Sequence, residues 1–318
     1  MRAIVQHRYG SPDVLTLMDV DKPVIDDDGV LVRVRATSVN AVDLHIMRGL
    51  PYVVRLTEGL RRPGSGIPGV DVAGHVEAVG RNVTQLQPGD EVFGAHGGAF
   101  AEYVGGTERH FVPKPARLTF EQAAAVPTAA TTALQALRDK GQLQAGQRVL
   151  INGAGGGVGS FAVQIAKAFG AEVTAVTGTT RVDMVRSIGA DRVIDRTLED
   201  FTRAGRRHDL ILDVSADRSL SACRRALTLE GTLVVVGAPD RWPLLRPLTA
   251  VVLSRFGKQR LLPFLAKHSR ENHMALKELV DAGKVTPVID RTYPLSEAPD
   301  AIRYVEGGRV RGKVVLTV

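Results

Sequence analysis

The chain has 318 residues, enough to bury two ordinary cores, and its 44% hydrophobic, 24% charged and 5% aromatic make-up with 33 glycines and 16 prolines fits a turn-rich α/β protein rather than a disordered one. Forty-one basic against 34 acidic residues leave a net charge of +7 that favours anionic ligands. The basic residues are scattered in short pairs such as Arg61-Arg62, Arg206-Arg207 and Arg224-Arg225, without interleaved aromatics, so nucleic acid is not an expected partner.

Cys223 is the single cysteine, which rules out an intrachain disulfide and a cluster of thiolate zinc ligands. The start, MRAIVQHRYG, enters a strand-like run with no apolar core of signal-peptide length, and no apolar stretch is long enough for a bilayer. A soluble, cytoplasmic protein without membrane partners is the expectation.

Up to about residue 115 the chain reads as successive short strands: GVLVRVRATSVN, GHVEAVG and EVFGA are separated by Pro-Gly, Gly-Asp and Gly-Gly turns. From residue 120 strands alternate with helices, as in crossover units on a parallel sheet, so a domain boundary is placed near Phe120. RVLIN (148–152) is a buried strand, followed by a glycine turn and the helix VGSFAVQIAKAFG. The strands EVTAVT (172–177), RVID, LILDV (210–214) and TLVVVG (232–237), with helices around MVRSIGA and Leu220 to Leu227, complete a doubly wound core. Beyond residue 238 come a basic apolar stretch, a helix over HMALKELVDAGK, the run VTPVIDRTYPL, a short helix in SEAPDAIRYVEGG and the terminal strand GKVVLTV, which leaves room for a discontinuous first domain.

Between the first of these strands and its helix lies Gly153-Ala154-Gly155-Gly156-Gly157-Val158-Gly159, the context that a dinucleotide fingerprint requires. Glycines at i+2 and i+5 are both available only with Ala154 first, giving A-x-G-x-x-G with Ala154, Gly156 and Gly159 at the turn, phosphate-approach and helix-packing positions. Side chains at Gly156 or Gly157 would hold a pyrophosphate away from the free N–H groups at the helix start, around Val158. After the second strand the residues are Thr177-Gly178-Thr179-Thr180-Arg181, hydroxyls and a guanidinium where an acid would select NAD, so NADP(H) is the expected cofactor. Glu172 opens that strand and is read as a solvated strand-end charge.

The run VLINGAGGGVGSFAVQIAKAFGAEVTAVTGTTRVDMVRSIGADRVIDR, with VRVRATSVNAVDLHIMRG, GVDVAGHVEAVGRNVTQLQPGDEVFG, GAFAEYV, AAAVPTAATTALQAL and GKVVLTV, resembles the zinc-free quinone-oxidoreductase branch of the medium-chain dehydrogenase/reductase superfamily over nearly the whole chain. The resemblance implies an α/β fold with a GroES-like β-barrel domain at 1–119, completed by 288–318, and a Rossmann doubly wound parallel-sheet domain at 120–287. It further implies a site between the domains and a homodimer.

Alcohol dehydrogenases of the superfamily hold catalytic zinc through an early C-x-x-[DS]-x-H stretch and a G-H-E motif. Here the matching places read Asn40-Ala41-Val42-Asp43-Leu44-His45 and Gly69-Val70-Asp71, and the loop that carries structural zinc reads FGAHGGAFAEYV. No metal is expected, the alternative being an improvised site of His45, Asp71 and His75. Without a Lewis acid, acceptors electrophilic enough to take hydride unaided, quinones or activated alkenes, are the expected substrates.

The family's N-x-x-D pair beside the nicotinamide falls on Asn40 and Asp43, which implies Asn40 as a hydrogen-bond donor to substrate or nicotinamide and Asp43 as the residue fixing the network. Tyr52 is the candidate donor or aromatic wall for the substrate oxygen, with His45 as the alternative proton source; a capping or turn pair is the plainer reading of Asn40 and Asp43, and a packed or solvated side chain that of His45. Thr128 matches the family's threonine near the nicotinamide, and Gly237 and Ala238 would leave backbone groups for the carboxamide. Arg311 and Lys313, flanking the last glycine, are placed against cofactor phosphates. An enoyl or 2-alkenal reductase would share these residues, and an NADPH-binding structural or RNA-associated protein is the alternative of another class.

Overall fold

The computed structural model describes residues 1–64, 66–237, 245–254 and 258–318. In chain order its elements begin with β1 (Arg2–Gln6), β2 (Leu15–Asp19), β3 (Gly29–Val39), α1 (Ala41–Arg48), α2 (Val54–Glu58), β4 (Asp71–Val79), β5 (Glu91–Ala95), β6 (Tyr103–Thr107), β7 (Phe111–Pro113), α3 (Phe120–Ala124) and α4 (Pro127–Gln135). They continue with β8 (Arg148–Asn152), α5 (Gly157–Ala168), β9 (Glu172–Thr177), α6 (Val182–Ser187), β10 (Arg192–Asp195), β11 (His208–Asp213), α7 (Leu220–Arg225), β12 (Leu227–Val235), α8 (Leu245–Leu253) and β13 (Arg260–Pro263). The last four are α9 (Arg270–Asp281), β14 (Ile289–Pro294), α10 (Ala298–Glu306) and β15 (Lys313–Thr317).

Two compact units result: Met1–Ala129 with His268–Asp281 and Pro287–Val318, and Ala130–Lys267 with Ala282–Thr286. The division falls after Ala129 rather than near Phe120, because α3 lies against β3 and β4. Residues 268–281, assigned by sequence to the second domain, pack with the first unit. Their helix α9 lies on β7, where Arg270 Nη1 donates to the carbonyls of Glu108 and Phe111 at 3.0 and 2.5 Å.

The first unit is built on a sheet of order β14-β15-β3-β4-β5-β7, with β6 pairing β3 and a separate β1-β2 ribbon. In β3 the valines Val30, Val32 and Val34 turn inward while Arg33 and Arg35 are exposed, the alternation of a sheet with one wet face. The inward set packs with Val72, Val76, Val92 and Phe111. The terminal strand β15 runs antiparallel to β3, pairing Val314 with Val39 and Val315 with Ser38, so residues from both ends of the chain share one ladder.

The second unit is a six-stranded parallel sheet, β10-β9-β8-β11-β12-β13. Counted from β8 this is the order 3-2-1-4-5-6, and strands buried on both faces account for the continuous apolar runs VLI and LIL. The chain reverses direction across the sheet between β8 and β11, so the loops leaving Asn152 and Asp213 diverge and open a crevice at the strands' carboxyl ends. No helix among the described residues is long and apolar enough to cross a membrane.

Burial pushes the imidazoles of His208 and His273 down to about 4. His273 sits on α9 between the rings of Phe93 and His268, fully buried, with neither ring nitrogen hydrogen-bonded among the described residues. An unfolded imidazole titrates near 6.5, so between about 4 and 6.5 the unfolded chain binds the extra protons; these groups leave stability intact above that window and remove it as pH falls through it. Thermal midpoints measured across this range should therefore fall on acidification, and His273→Phe should shrink the slope; an unaltered slope would mean that His273 is not buried neutral.

Candidate functional site

The turn after β8 uses its glycines for different reasons. Gly153 has φ +96°, and a Cβ there would lie 2.6 Å from Ser215 Oγ. At Gly159, inside the first turn of α5, a Cβ would overlap the Gly153 carbonyl and stand 2.6 Å from Ala154 Cα, so helix and turn touch backbone to backbone. At Gly156, which precedes α5, the nearest atom to a Cβ is Gly153 O at 3.7 Å, leaving open space over the helix start. The first N–H groups of α5 have no intrahelical acceptor and face that region. Two buried polar atoms beside the turn, Asn152 Oδ1 and Thr177 Oγ1, lack a hydrogen-bond partner among the described residues. Asn152 Nδ2 meanwhile donates to Asp213 and Asp217 at 2.8 and 2.7 Å. Open space, free N–H groups and orphaned polar atoms fit a polar, phosphate-bearing ligand.

Past β9 the chain makes a 3₁₀ turn over Thr179–Arg181. The Arg181 stem lies over Gly155, where a Cβ would meet its Cδ at 2.5 Å. Sequence reasoning found no acid here, but the adjacent strand supplies one. Asp195, at the end of β10, accepts from the Thr197 N–H and hydroxyl at 2.9 and 2.8 Å, and the Thr179 hydroxyl is the foremost of the groups holding its carboxyl below the usual range. Arg196 Nη1 stands 3.7 Å from Asp217 Oδ2, and its Nε is 3.9 Å from where a Gly178 Cβ would be. With Arg218 Nη1 at 4.0 Å from Asp217 Oδ2, the guanidiniums of Arg181, Arg196 and Arg218 share this end of the sheet with the carboxylates of Asp195 and Asp217. Glu172, as expected, is far from them, an exposed strand-start charge paired with Arg206. A polar cavity of about 530 Å³ lies at the opposite strand ends, lined by Gln142, Asp209, Glu230 and Arg260, away from the fingerprint.

The first unit carries a second polar assembly, centred on Asp71 at the start of β4 and fully buried. Its Oδ2 accepts from Ser38 Oγ at 2.5 Å and Asn40 Nδ2 at 2.8 Å, and Lys313 Nζ lies 3.4 Å away. Its Oδ1 accepts both the N–H and the hydroxyl of Thr128, at 2.8 and 2.6 Å. Burial opposes the Asp71 charge, yet Lys313 and these donors outweigh it and hold the carboxyl below its usual range. Asp43, one turn into α1, accepts the Asn40 N–H at 2.7 Å through Oδ2, the N-terminal box of that helix, while its Oδ1 has no partner among the described residues. Burial pushes Asp43 up to about 7, with the Asp71 charge adding to it and the Asn40 N–H and Lys313 opposing.

Several expected roles change in this setting. Asn40 was expected to donate to substrate or nicotinamide, but its amide N–H groups go to Asp71 and, at 3.3 Å, to the Ser38 carbonyl, while Oδ1 accepts from Lys313. Lys313 does not face a phosphate: its ammonium is 3% exposed and bound within the assembly. Arg311 remains at the surface, its N–H on Asp290 Oδ2 at 3.0 Å. Tyr52 is 72% exposed with its ring against the Arg55 guanidinium, and His45 Nδ1 is 3.1 Å from the Leu50 carbonyl. The Gly237 N–H donates to the Asp213 carbonyl at 3.1 Å and is therefore engaged, and Ala238 lies outside the described residues.

His45, Asp71 and His75 are each occupied separately, His75 with Glu91 at 3.8 Å and the Phe120 ring, and among the described residues no three metal-ligating side chains are grouped to hold an ion. Ser38, Asn152, Asp195, Arg196 and Asp213 escaped sequence reasoning. Ser38, Asn152 and Asp213 meet partners in other strands, and Asp195 and Arg196 meet residues of neighbouring turns; only the acid or amide ending a strand at the sheet's reversal, as Asn152 and Asp213 do, offered a signal.

Family comparison matches the alcohol dehydrogenase GroES-like domain over residues 26–116 and the zinc-binding dehydrogenase family over residues 188–316. Among known proteins, the mouse mitochondrial NAD(P)H oxidoreductase RTN4IP1 is 36% identical, the alignment covering 100% of this chain and 89% of the relative. Tomato 2-methylene-furan-3-one reductase is 35% identical, over 99% of this chain and 79% of the relative. The structure of a quinone oxidoreductase from Coxiella burnetii superposes with a TM-score of 0.88 at 30% identity, covering 100% of this chain and 99% of that one. With likeness running the length of both units, the chain belongs to the medium-chain dehydrogenase/reductase superfamily, in the branch of quinone oxidoreductases and alkenal reductases, and is an oxidoreductase served by a nicotinamide cofactor.

Proposed function

We propose that the protein is an NADPH-dependent reductase of quinones or of alkenes conjugated to a carbonyl, working without a metal ion. The observation that carries this reading is the glycine turn, with open space at Gly156 beside the buried, unpartnered Asn152 Oδ1 and Thr177 Oγ1. When bound, the nicotinamide group supplies hydride, and the acceptor's conjugation spreads the incoming charge onto oxygen. The start of α5 receives the pyrophosphate, with Gly159 keeping the helix close enough for its N–H groups to reach.

Arg181 and Arg196, which stand beyond the end of β9, would take the 2′-phosphate side. In the first unit Thr128 is fixed by Asp71, and Asn40 serves as a bridge within the assembly rather than as a substrate donor. Tyr52, whose hydroxyl has no protein partner among the described residues, stays available to a substrate oxygen. His45 Nδ1 is held by the Leu50 carbonyl, which leaves Nε2 as the ring nitrogen open to a substrate.

The reading is tested by following oxidation of NADPH and NADH with quinones, enones and aldehydes. NADPH should be preferred by about tenfold or more, a difference of about 1.4 kcal/mol, and Arg181→Ala with Arg196→Ala should erase it. Equal use of NADH by the wild type would defeat the cofactor assignment, and turnover confined to alcohols and aldehydes would defeat the substrate one. Gly156→Ala separates binding from folding: its Cβ clashes with nothing but enters the phosphate space. It should weaken NADPH binding by about 10–100-fold while the thermal midpoint stays put, and unweakened binding would put the phosphates elsewhere.

Asp43 gives a check on pH. Its folded carboxyl, titrating at about 7 against 3.8 unfolded, contributes stability below that window and loses it as pH rises through 7. Asp43→Asn keeps an acceptor for the Asn40 N–H and should flatten that loss; a loss as steep as in the wild type would mean that Asp43 is ionised in the folded protein.

A further inference from the structure

We propose that Lys313 is a positioning residue of the reaction, its buried ammonium fixing Asn40 and Asp71 and, through Asp71, seating Thr128. The inference rests on the reading above for its link to turnover, while its structural part stands on the geometry of the first unit alone. Lys313 opens β15, and its side chain runs inward beside the end of β3. An ammonium has three N–H donors, and three acceptors surround this one: Asn40 Oδ1 at 2.5 Å, the Val39 carbonyl at 3.3 Å and Asp71 Oδ2 at 3.4 Å.

The arrangement decides which way Asn40 faces. With Oδ1 on the ammonium, Nδ2 points at Asp71 and the Ser38 carbonyl; the reverse orientation would set the amide N–H groups against the ammonium and an oxygen against a carboxylate. Lys313 also decides the charge of Asp71. Among the described residues it is the one cation in an assembly with two buried carboxyls, and Asp43 already titrates high. Without the ammonium, Asp71 would share that fate and bind a proton. A protonated Asp71 is a poorer acceptor, so the Thr128 N–H and hydroxyl, both held on Oδ1, would be released. Arginine is no substitute at a 3% exposed position shaped for a compact three-donor group, since its planar fork is larger and differently directed.

The test uses the full-length protein with Lys313→Met and the double variant Asp71→Asn/Lys313→Met. In Lys313→Met the Thr128 amide proton, which a carboxylate acceptor draws downfield, should move upfield in the NMR spectrum. Turnover should drop by about 10–100-fold while NADPH binding, read by its fluorescence, changes by less than about threefold. The pH–rate profile should gain an ionisation from Asp71. Should the single variant not fold, the double variant, free of the unpaired charge, recovers folding and must still lose turnover. Wild-type turnover in either folded variant, or an unmoved Thr128 amide, overturns the proposal. If the wild type reduces none of the acceptors, the functional reading has failed, and the Thr128 amide then decides the role of Lys313 by itself.

Discussion

A fully buried carboxylate, Asp71, meets five donors among the described residues, from three segments of the chain: Ser38 and Asn40 at the end of β3, Thr128 at the start of α4 and Lys313 at the start of β15. A lone charge in such a place would be expelled or neutralised, so the site exists only while its partners are assembled. Breaking a buried pair by deleting one partner costs about 3–5 kcal/mol, a large share of a domain's stability. The geometry of the first unit therefore hangs on this contact: it ties the terminal strand to β3 and sets Thr128 in place by two bonds to one oxygen.

The second unit meets a different constraint, that of packing backbone on backbone at the turn between β8 and α5. It does so by subtraction. Gly153 takes a left-handed turn, Gly159 lets α5 rest on the turn's own backbone, and Gly156 leaves space unfilled. Strand order puts this turn where β8 and β11 part, so Asn152 and Asp213 stand side by side at the mouth of the crevice. At the neighbouring strand ends Arg181, Arg196 and Arg218 stand with Asp195 and Asp217.

The fingerprint, the strands that flank it and the missing cysteines were legible because each is local. An A-x-G-x-x-G run between a buried strand and an amphipathic helix needs only its neighbours to be read, and strands β8, β9 and β10 begin and end where period and propensity put them. The edges of the units were less legible. Residues 268–281 carry an ordinary helical pattern, and nothing in it says that Arg270 will clamp the carbonyls of Glu108 and Phe111. Asn40 and Asp43 were recognised as a pair, yet the direction in which the Asn40 amide faces depends on a lysine 273 residues away.

The sequence alone therefore determined the class of fold, the glycine turn between β8 and α5 and the single cysteine, since composition and short-range spacing set all three. Only the tertiary structure decided that Lys313 is an internal cation rather than a phosphate contact, that Asp195 stands beside Thr179, and that Asn40 spends its donors on Asp71. The physical reason is common to these cases. Whether a polar side chain is a ligand contact or a structural one depends on what meets it once it leaves water, and its partners here come from strands and helices far apart in the chain.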